Sequence, residues 1–465
     1  MYDGNITTED EEAQLSAPMK RLFNWYHQAG TPQVNFSYEW NPALSQFTVE
    51  CSQSNPRCAE LIGVYDPVLI PIRIGLVDRD SKKTVHEAVL NFCELEQTFV
   101  INGIVSDCVP SFMRDFSAPV TAQYDMNIED RLFLMAHDSN MFNRWEQSQI
   151  IHKKNIVGLY DGDDSQLDSY VDVLVKILSD DTIDPSLKSS MVSLPLQEEM
   201  IICIPDCDPI RLYSVAARVD RELSVRCRDY LVGRSDGLLH SLPSVTYALT
   251  KEQMAEREFF RTLIRLRIAK FHEADATFIE RVYNCAVTSD NLTNRVGCIA
   301  ALASAEDPDG SRRLVLDKLL DYTAELYAHD SLMTSKWLRW VSTIPSSRTV
   351  RTVTDLFDGL HPRSAMVSKT TPNHLDSLVR AFTANPYVHE IMTTAGGADH
   401  APGYEYVTKC LLEIDPHNAI VSARIAGLFD NIKHLSPRHR GLMQKCIDRI
   451  KSVDNLSENV RELLH

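Results

Sequence analysis

A β-sandwich of immunoglobulin-like size followed by a large all-α, irregular helical superhelix is the fold class this sequence predicts. Three observations predict it. Apolar residues alternate with period two from Gln33 to about Thr121, the period becomes helical after Asn127, and it stays helical to the end of a 465-residue chain.

In the first region Val34, Phe36, Tyr38 and Trp40 alternate with polar neighbours, and Val68, Ile70, Ile72, Ile74 and Leu76 do so again. Residues two apart on a strand share a face, so each run supplies one buried face. Shorter β-prone stretches run from Glu87 to Cys93, Glu96 to Ile101, Phe112 to Phe116 and Val120 to Asp125, with turn residues such as Asp78-Arg79-Asp80-Ser81 between them. About seven strands predict a sandwich over residues 32–124.

From residue 125 to 465 the stripes are helical. Leu167, Tyr170, Val171, Leu174, Ile177 and Leu178 form one stripe, entered through Asp163-Asp164-Ser165, which can cap its amino end. Phe260, Leu263, Ile264, Ile268 and Phe271 form another between Lys251 and His272. Further helices are expected from Arg312 to Tyr327, Met333 to Val341, His374 to Phe382, Tyr404 to Glu413, Ala419 to Phe429 and Pro437 to Ser452. So long a helical stretch is hard to pack around one centre, which predicts helix pairs stacked into a curved array without a crisp repeat. Ahead of the sandwich, Met19, Leu22, Phe23, Trp25 and Tyr26 make a small amphipathic helix with no evident surface to pack on.

Composition narrows the function. Hydrophobic residues at 44% and charged residues at 24% are globular values. A formal charge of -17 is a poor match for a phosphate backbone, so nucleic acid is not an expected partner. No apolar run is long enough to span a bilayer, and the first thirty residues are unlike a signal peptide, which predicts a cytoplasmic protein with no membrane partner. Eleven scattered cysteines fit reduced thiols.

A metallopeptidase site needs His-Glu-x-x-His on a helix, because two imidazoles four residues apart share one face and bind zinc while the glutamate activates water. Here His86-Glu87, His272-Glu273 and His389-Glu390 each lack the second histidine. Cys203 and Cys207 are four apart, but Ile204-Pro205-Asp206 breaks the helical spacing and a second ligand pair is absent. There is no nucleophile elbow, phosphate loop or dinucleotide fingerprint. The segment from Ala395 to Gly403 reads as a connection between helices, and Trp25, Trp145, Trp337 and Trp340 read as core or interface anchors.

Several short segments in one order carry a resemblance. They are Trp25-Tyr26-His27-Gln28-Ala29-Gly30-Thr31-Pro32, Glu96-Gln97-Thr98-Phe99-Val100, Phe116-Ser117-Ala118-Pro119-Val120, Phe142-Asn143-Arg144-Trp145-Glu146, Ile183-Asp184-Pro185, Asn291-Leu292-Thr293, Lys336-Trp337 and Asn455-Leu456-Ser457. Together they resemble the carboxy-terminal half of the aminopeptidase N (alanyl aminopeptidase) family of gluzincin zinc metallopeptidases, in its bacterial and protozoan branch. The resemblance covers essentially the whole chain.

The resemblance implies a four-part architecture: an amino-terminal β-domain, a zinc-peptidase domain, the sandwich, and a helical bowl over the active site. Residues 1–31 would be the remnant of the end of the zinc-peptidase domain. Zinc belongs to the full-length family, and this chain is expected to hold no cofactor, no metal and no catalytic residue. It would be inert alone, with a zinc-peptidase catalytic domain or half as its partner and a peptide as the substrate of the assembly. In this branch the bowl contributes arginines that face the peptide. Arg424, in Val421-Ser422-Ala423-Arg424-Ile425, matches one such position and is the expected substrate-binding residue. The other falls on Asp376, in Asn373-His374-Leu375-Asp376-Ser377, which inverts the charge. A non-catalytic peptide- or protein-binding scaffold derived from that family is the alternative.

Overall fold

The alternating runs of the first region form two facing sheets. In the computed structural model, which describes residues 17–241, 246–269, 276–304 and 311–464, seven strands build them. They are β1 (Gln33–Asn41), β2 (Gln46–Ser54), β3 (Ile70–Asp78), β4 (Thr84–Phe92), β5 (Glu96–Asn102), β6 (Cys108–Ser111) and β7 (Thr121–Tyr124), ordered β5-β2-β1-β7 in one sheet and β4-β3-β6 in the other. Every pair is antiparallel except β1 with β7. The register sets Phe36 opposite Cys51 on one side and Tyr124 on the other. Val34, Phe36, Val49 and Cys51 thereby share one core with Ile70, Ile72, Ile74 and Phe92. Phe112 sits at its centre, its ring 4.5 Å from Phe36 and 5.3 Å from Tyr124 between centroids.

Two expectations are corrected in this region. The stretch from Phe112 to Phe116 is not a strand: β6 ends at Ser111, and Met113, Asp115 and Phe116 take φ of 53°, 56° and 52°. Left-handed residues cannot continue a pleat, so the chain coils there. The amphipathic helix Ala17–His27 does have a surface to pack on, which is the sandwich itself. Trp25 Nε1 donates to the Leu69 carbonyl at 2.9 Å, Asn24 Nδ2 to Pro67 at 2.9 Å and Gln28 Nε2 to Asp66 at 2.8 Å.

The coil at 113–116 turns Arg114 inward, where its side chain is 2% exposed. Its Nη2 donates to Asp138 Oδ1 at 3.0 Å and to Ser139 Oγ at 2.6 Å, and its Nη1 bonds Glu87. A Cβ at position 75 would lie 2.4 Å from Nη1, so Gly75 leaves the room this guanidinium occupies. Ser111 Oγ donates to Asp138 Oδ2 at 2.6 Å and Asn143 Nδ2 to the Phe112 carbonyl at 2.9 Å. These bonds tie the helices Ile128–His137 and Met141–Asp161 to the strands, and the chain divides by contacts into Met1–Ile151 and His152–His465.

In the second unit neighbouring helices pack in sequence order: Lys251–Ala269 on Leu292–Ala303, Ala276–Thr288 on Leu292–Ala303 and on Ser311–Leu326, Ser331–Thr343 on Thr349–Asp358. Each buries an apolar stripe that it could not bury alone. The stack also returns on itself. Cys207 N donates to the His434 carbonyl at 2.8 Å and Ser436 N to the Cys207 carbonyl at 2.8 Å. The Asp163-Asp164-Ser165 cap is displaced: Asp163 accepts from Ser165 N at 3.0 Å in the preceding turn, and Leu167–Ser179 begins without a side-chain cap.

Two buried histidines, His152 and His389, are fixed by this packing. His152 bonds the Met191 carbonyl through Nε2 at 2.8 Å and Tyr170 through Nδ1; His389 bonds the Tyr404 hydroxyl at 2.8 Å. Burial pulls their pKa down to about 4 and about 3.

Two measurements test these accounts. Replacing Arg114 by Met strands the buried Asp138 carboxylate, and urea unfolding followed by tryptophan fluorescence should show a loss of about 3–5 kcal/mol, part of it recovered in the R114M/D138N double variant. An unchanged midpoint would refute the account. The second concerns pH. Between about 6.5 and their folded values the unfolded chain binds protons that His152 and His389 refuse, so their contribution is complete above about pH 6.5 and declines as pH falls. Each should steepen the loss by up to about 1.4 kcal/mol per pH unit, and H152Q and H389Q should flatten the midpoint-versus-pH curve from 7 to 5.

Candidate functional site

The cation expected to face a peptide, Arg424, lies on the helix Ala419–Ala426, started by Asn418, whose side chain accepts from Val421 N. Val421, Ser422, Ile425 and Ala426 are buried, which directs Arg424 outward. Ser422 Oγ donates to the Leu411 carbonyl at 2.9 Å and pins the helix to Pro402–Ile414. Arg424 is exposed and makes no hydrogen bond or ion pair with the described residues.

Asp376 opens the π-helical turn Asp376–Arg380, which interrupts the helix expected from His374 to Phe382. Ser342 Oγ, on the helix Ser331–Thr343, donates to the Leu378 carbonyl at 2.9 Å within that turn. Asn385 Nδ2 donates to Ser342 O at 2.9 Å and Ile344 O at 2.8 Å, so the segment is fastened at both ends. The helix Ala419–Ala426 packs directly on this turn, which brings the two resemblance-derived positions onto adjoining elements.

The Asp376 carboxylate is paired with two arginines. It accepts from Arg339 Nη2 at 3.3 Å and from Arg380 through Nε and, at 3.1 Å, Nη2. The side chains of Arg339 and Arg380 are 47% and 44% exposed, while that of Asp376 is 20% exposed. The Asp376 hydrogen bond raises the Arg380 pKa further, and Glu198 adds a smaller push in the same direction. One carboxylate thus orients two solvent-facing guanidiniums. Neither arginine was singled out from sequence. Arg380 carried a signal, four residues after an acid on a helical stretch; Arg339 did not, because its contact with Asp376 spans 37 positions.

The candidate metal motifs are placed apart. His86 and Glu87 are consecutive residues of β4 and point to opposite faces, with Glu87 bound to Arg114 and Arg73. His389 is enclosed, and His439 Nε2 donates to its carbonyl at 3.1 Å; Glu390 follows in a connection where burial raises its pKa. His272-Glu273 lies outside the described residues. Cys203 is exposed, whereas Cys207 is buried with its thiol pushed up to about 12, unsuited to a thiolate ligand. Among the described residues no group of three or more His, Cys, Asp or Glu side chains is placed to hold a metal, so zinc has no fitting ligand set there. Within the segment from Ala395 to Gly403, Asp399–His400 pairs with the preceding Met392–Thr393 as a small hairpin, and Asp399 is gripped by Arg438 at 2.6 and 2.7 Å. No helix among the described residues is long and apolar enough to cross a membrane.

Comparison with known proteins adds the family. Residues 30–125 match the domain of unknown function DUF3458, described as an Ig-like fold, and residues 128–465 match DUF3458_C, described as ARM repeats. The aminopeptidase N of Escherichia coli K12 is 27% identical over 480 residues, 99% of this chain and 52% of that protein. The aminopeptidases N of Haemophilus influenzae and Caulobacter vibrioides are 25% and 26% identical, each again over 99% of this chain and 52% of the relative. This chain therefore spans about half the length of these relatives. The crystal structure of Legionella pneumophila aminopeptidase A in complex with aspartic acid shares the fold, with a TM-score of 0.76 at 20% identity over 96% of this chain and 50% of that one. The chain belongs to the DUF3458 family and joins its Ig-like and ARM-repeat domains, the carboxy-terminal part of aminopeptidase N.

Proposed function

We propose that this chain supplies the sandwich and substrate-enclosing helices of a cytoplasmic aminopeptidase that removes amino-terminal residues from peptides, and that it is inert alone. The observation that carries this reading is the alignment of 99% of the chain with about half of each aminopeptidase N. Hydrolysis then falls to a partner zinc-peptidase domain or half, where zinc would lower the pKa of a bound water and provide the nucleophile. The role left to this chain is to enclose and orient the peptide. Arg424 suits that task, because an exposed guanidinium with no internal partner keeps all its donors for a carboxylate or carbonyl.

Taken alone, the charge inversion at Asp376 slightly favours the scaffold alternative, which otherwise rests on the surface that a sandwich and a curved helical array offer to a peptide or protein. With Arg339 and Arg380 both bound to that carboxylate, the inversion no longer separates the two readings.

The test mixes the purified chain with zinc and a fluorogenic alanyl or arginyl amide or a short peptide, with and without a separately expressed zinc-peptidase half. No turnover by the chain alone, a complex with that half, and faster peptide cleavage in the complex are expected. Arg424→Ala should then lower kcat/KM for peptides about tenfold or more, the scale of a charge-assisted hydrogen bond, while sparing the small amide. Turnover by the chain alone, with stoichiometric zinc bound, would sink the proposal.

A further inference from the structure

We infer that Cys285 and Cys298, buried against each other between two successive helices, close into a reversible disulfide when the chain meets a peroxide. This stands apart from the peptide-enclosing role and does not depend on it.

The helices Ala276–Thr288 and Leu292–Ala303 follow one another across a short turn and pack together. Arg295 fixes their register: its Nε donates to the Ala286 carbonyl at 2.9 Å and its Nη2 to the Ser289 carbonyl at 2.8 Å. Cys298 stands one turn beyond Arg295 on the same helical face, and Cys285 immediately precedes Ala286. The two thiols thereby meet across the helix contact, where they hydrogen-bond each other. Cys298 is 0% exposed and Cys285 4%. Ser289 Oγ lies 3.9 Å from the Cys285 sulfur and donates to the Cys285 carbonyl at 2.6 Å, which closes the cluster. Cys285 is in the last turn of its helix, next to the exposed Thr288 and Asp290, and a small peroxide has its shortest approach there.

The other buried thiols behave differently. Burial pushes Cys51 and Cys207 up to about 12 and Cys227 up to about 11, so they stay protonated and inert. At Cys285 the hydrogen bond from the Cys298 thiol outweighs burial, Ser289 helps, and the proton is held less firmly than on an ordinary thiol. Cys298 is driven the other way. The pair is therefore divided into an attacking sulfur and a resolving one. The Cys285 thiolate attacks one peroxide oxygen, the O–O bond breaks, and hydroxide leaves to become water, with Cys285 oxidised by two electrons to a sulfenic acid. The Cys298 sulfur then attacks that sulfur; the S–O bond breaks, the S–S bond forms, and the departing hydroxide takes the Cys298 proton as a second water. A dithiol reductant reverses the link.

The test treats the full folded chain with hydrogen peroxide, alkylates the remaining thiols and maps the tryptic peptides by mass spectrometry. Cleavage after Arg281, Arg295 and Arg312 releases the two cysteines on separate peptides. The expected product is those two peptides joined, about 2 Da lighter than their sum, released by dithiothreitol, and replaced by scattered pairings when the same treatment is made in urea. Cys298→Ser should stop at the sulfenic acid, captured on Cys285 by a cyclic 1,3-diketone, whereas Cys285→Ser should give no capture on Cys298. Full alkylation of both cysteines under peroxide that oxidises the exposed Cys203 overturns the inference. Capture on Cys298 but not on Cys285 overturns the order of attack. Should either serine variant fail to fold, the peptide map of the native chain decides.

Discussion

Charge trapped between helices has to be neutralised where it sits, and single carboxylates that each grip more than one donor meet that constraint throughout this chain. Asp138 holds Arg114, Ser111 and the Asn140 amide in the first unit. Asp236 and Asp376 hold two arginines each in the second. Removing a guanidinium from water costs several kcal/mol, which a well-placed carboxylate offsets only when the remaining donors are also satisfied. The extent of burial therefore separates structural clusters from available ones. Arg114 and Arg267 are buried against their carboxylates, whereas Arg339 and Arg380 are oriented from one side and open to solvent on the other.

The π-helical turn at Asp376–Arg380 and the backbone contact at Gly403 serve the same end. A Cβ at Gly403 would lie 2.3 Å from the Val388 carbonyl oxygen, so glycine lets the helix Pro402–Ile414 close on the turn Pro386–His389. The helix that bears Arg424 packs in turn on Pro402–Ile414. A chain of close contacts thus fixes where the exposed cations can stand, although none of the contacting atoms carries chemistry.

Local periodicity made the core strands and the change to helix at Asn127 readable, because Ile70, Ile72, Ile74 and Leu76 bury one face in strict alternation. It failed where the backbone left the regular regions. Nothing in Phe112-Met113-Arg114-Asp115-Phe116 announces three left-handed residues, and their conformation follows from the bonds that Arg114 finds in later helices. Strand β2 escaped notice for a different reason: Phe47, Val49 and Cys51 are spaced by Thr48 and Glu50 in a stretch rich in polar residues. The helix Ala17–His27 seemed unpartnered only because its acceptors, the carbonyls of Asp66, Pro67 and Leu69, are backbone atoms that no side-chain pattern reveals.

The candidate site shows the same division between local and distant information. The exposure of Arg424 follows from the buried residues around it on one helical turn. Asp376, taken as a single position, suggested a lost cation. On a helix, however, positions four apart share a face, and Arg380 stands one turn further on with its guanidinium folded back onto the acid. Arg339 reaches the same carboxylate from a neighbouring helix. The quantity that a recognition surface has to preserve is the field above it rather than the identity of any one residue, and that field sums over groups which only the folded chain brings together.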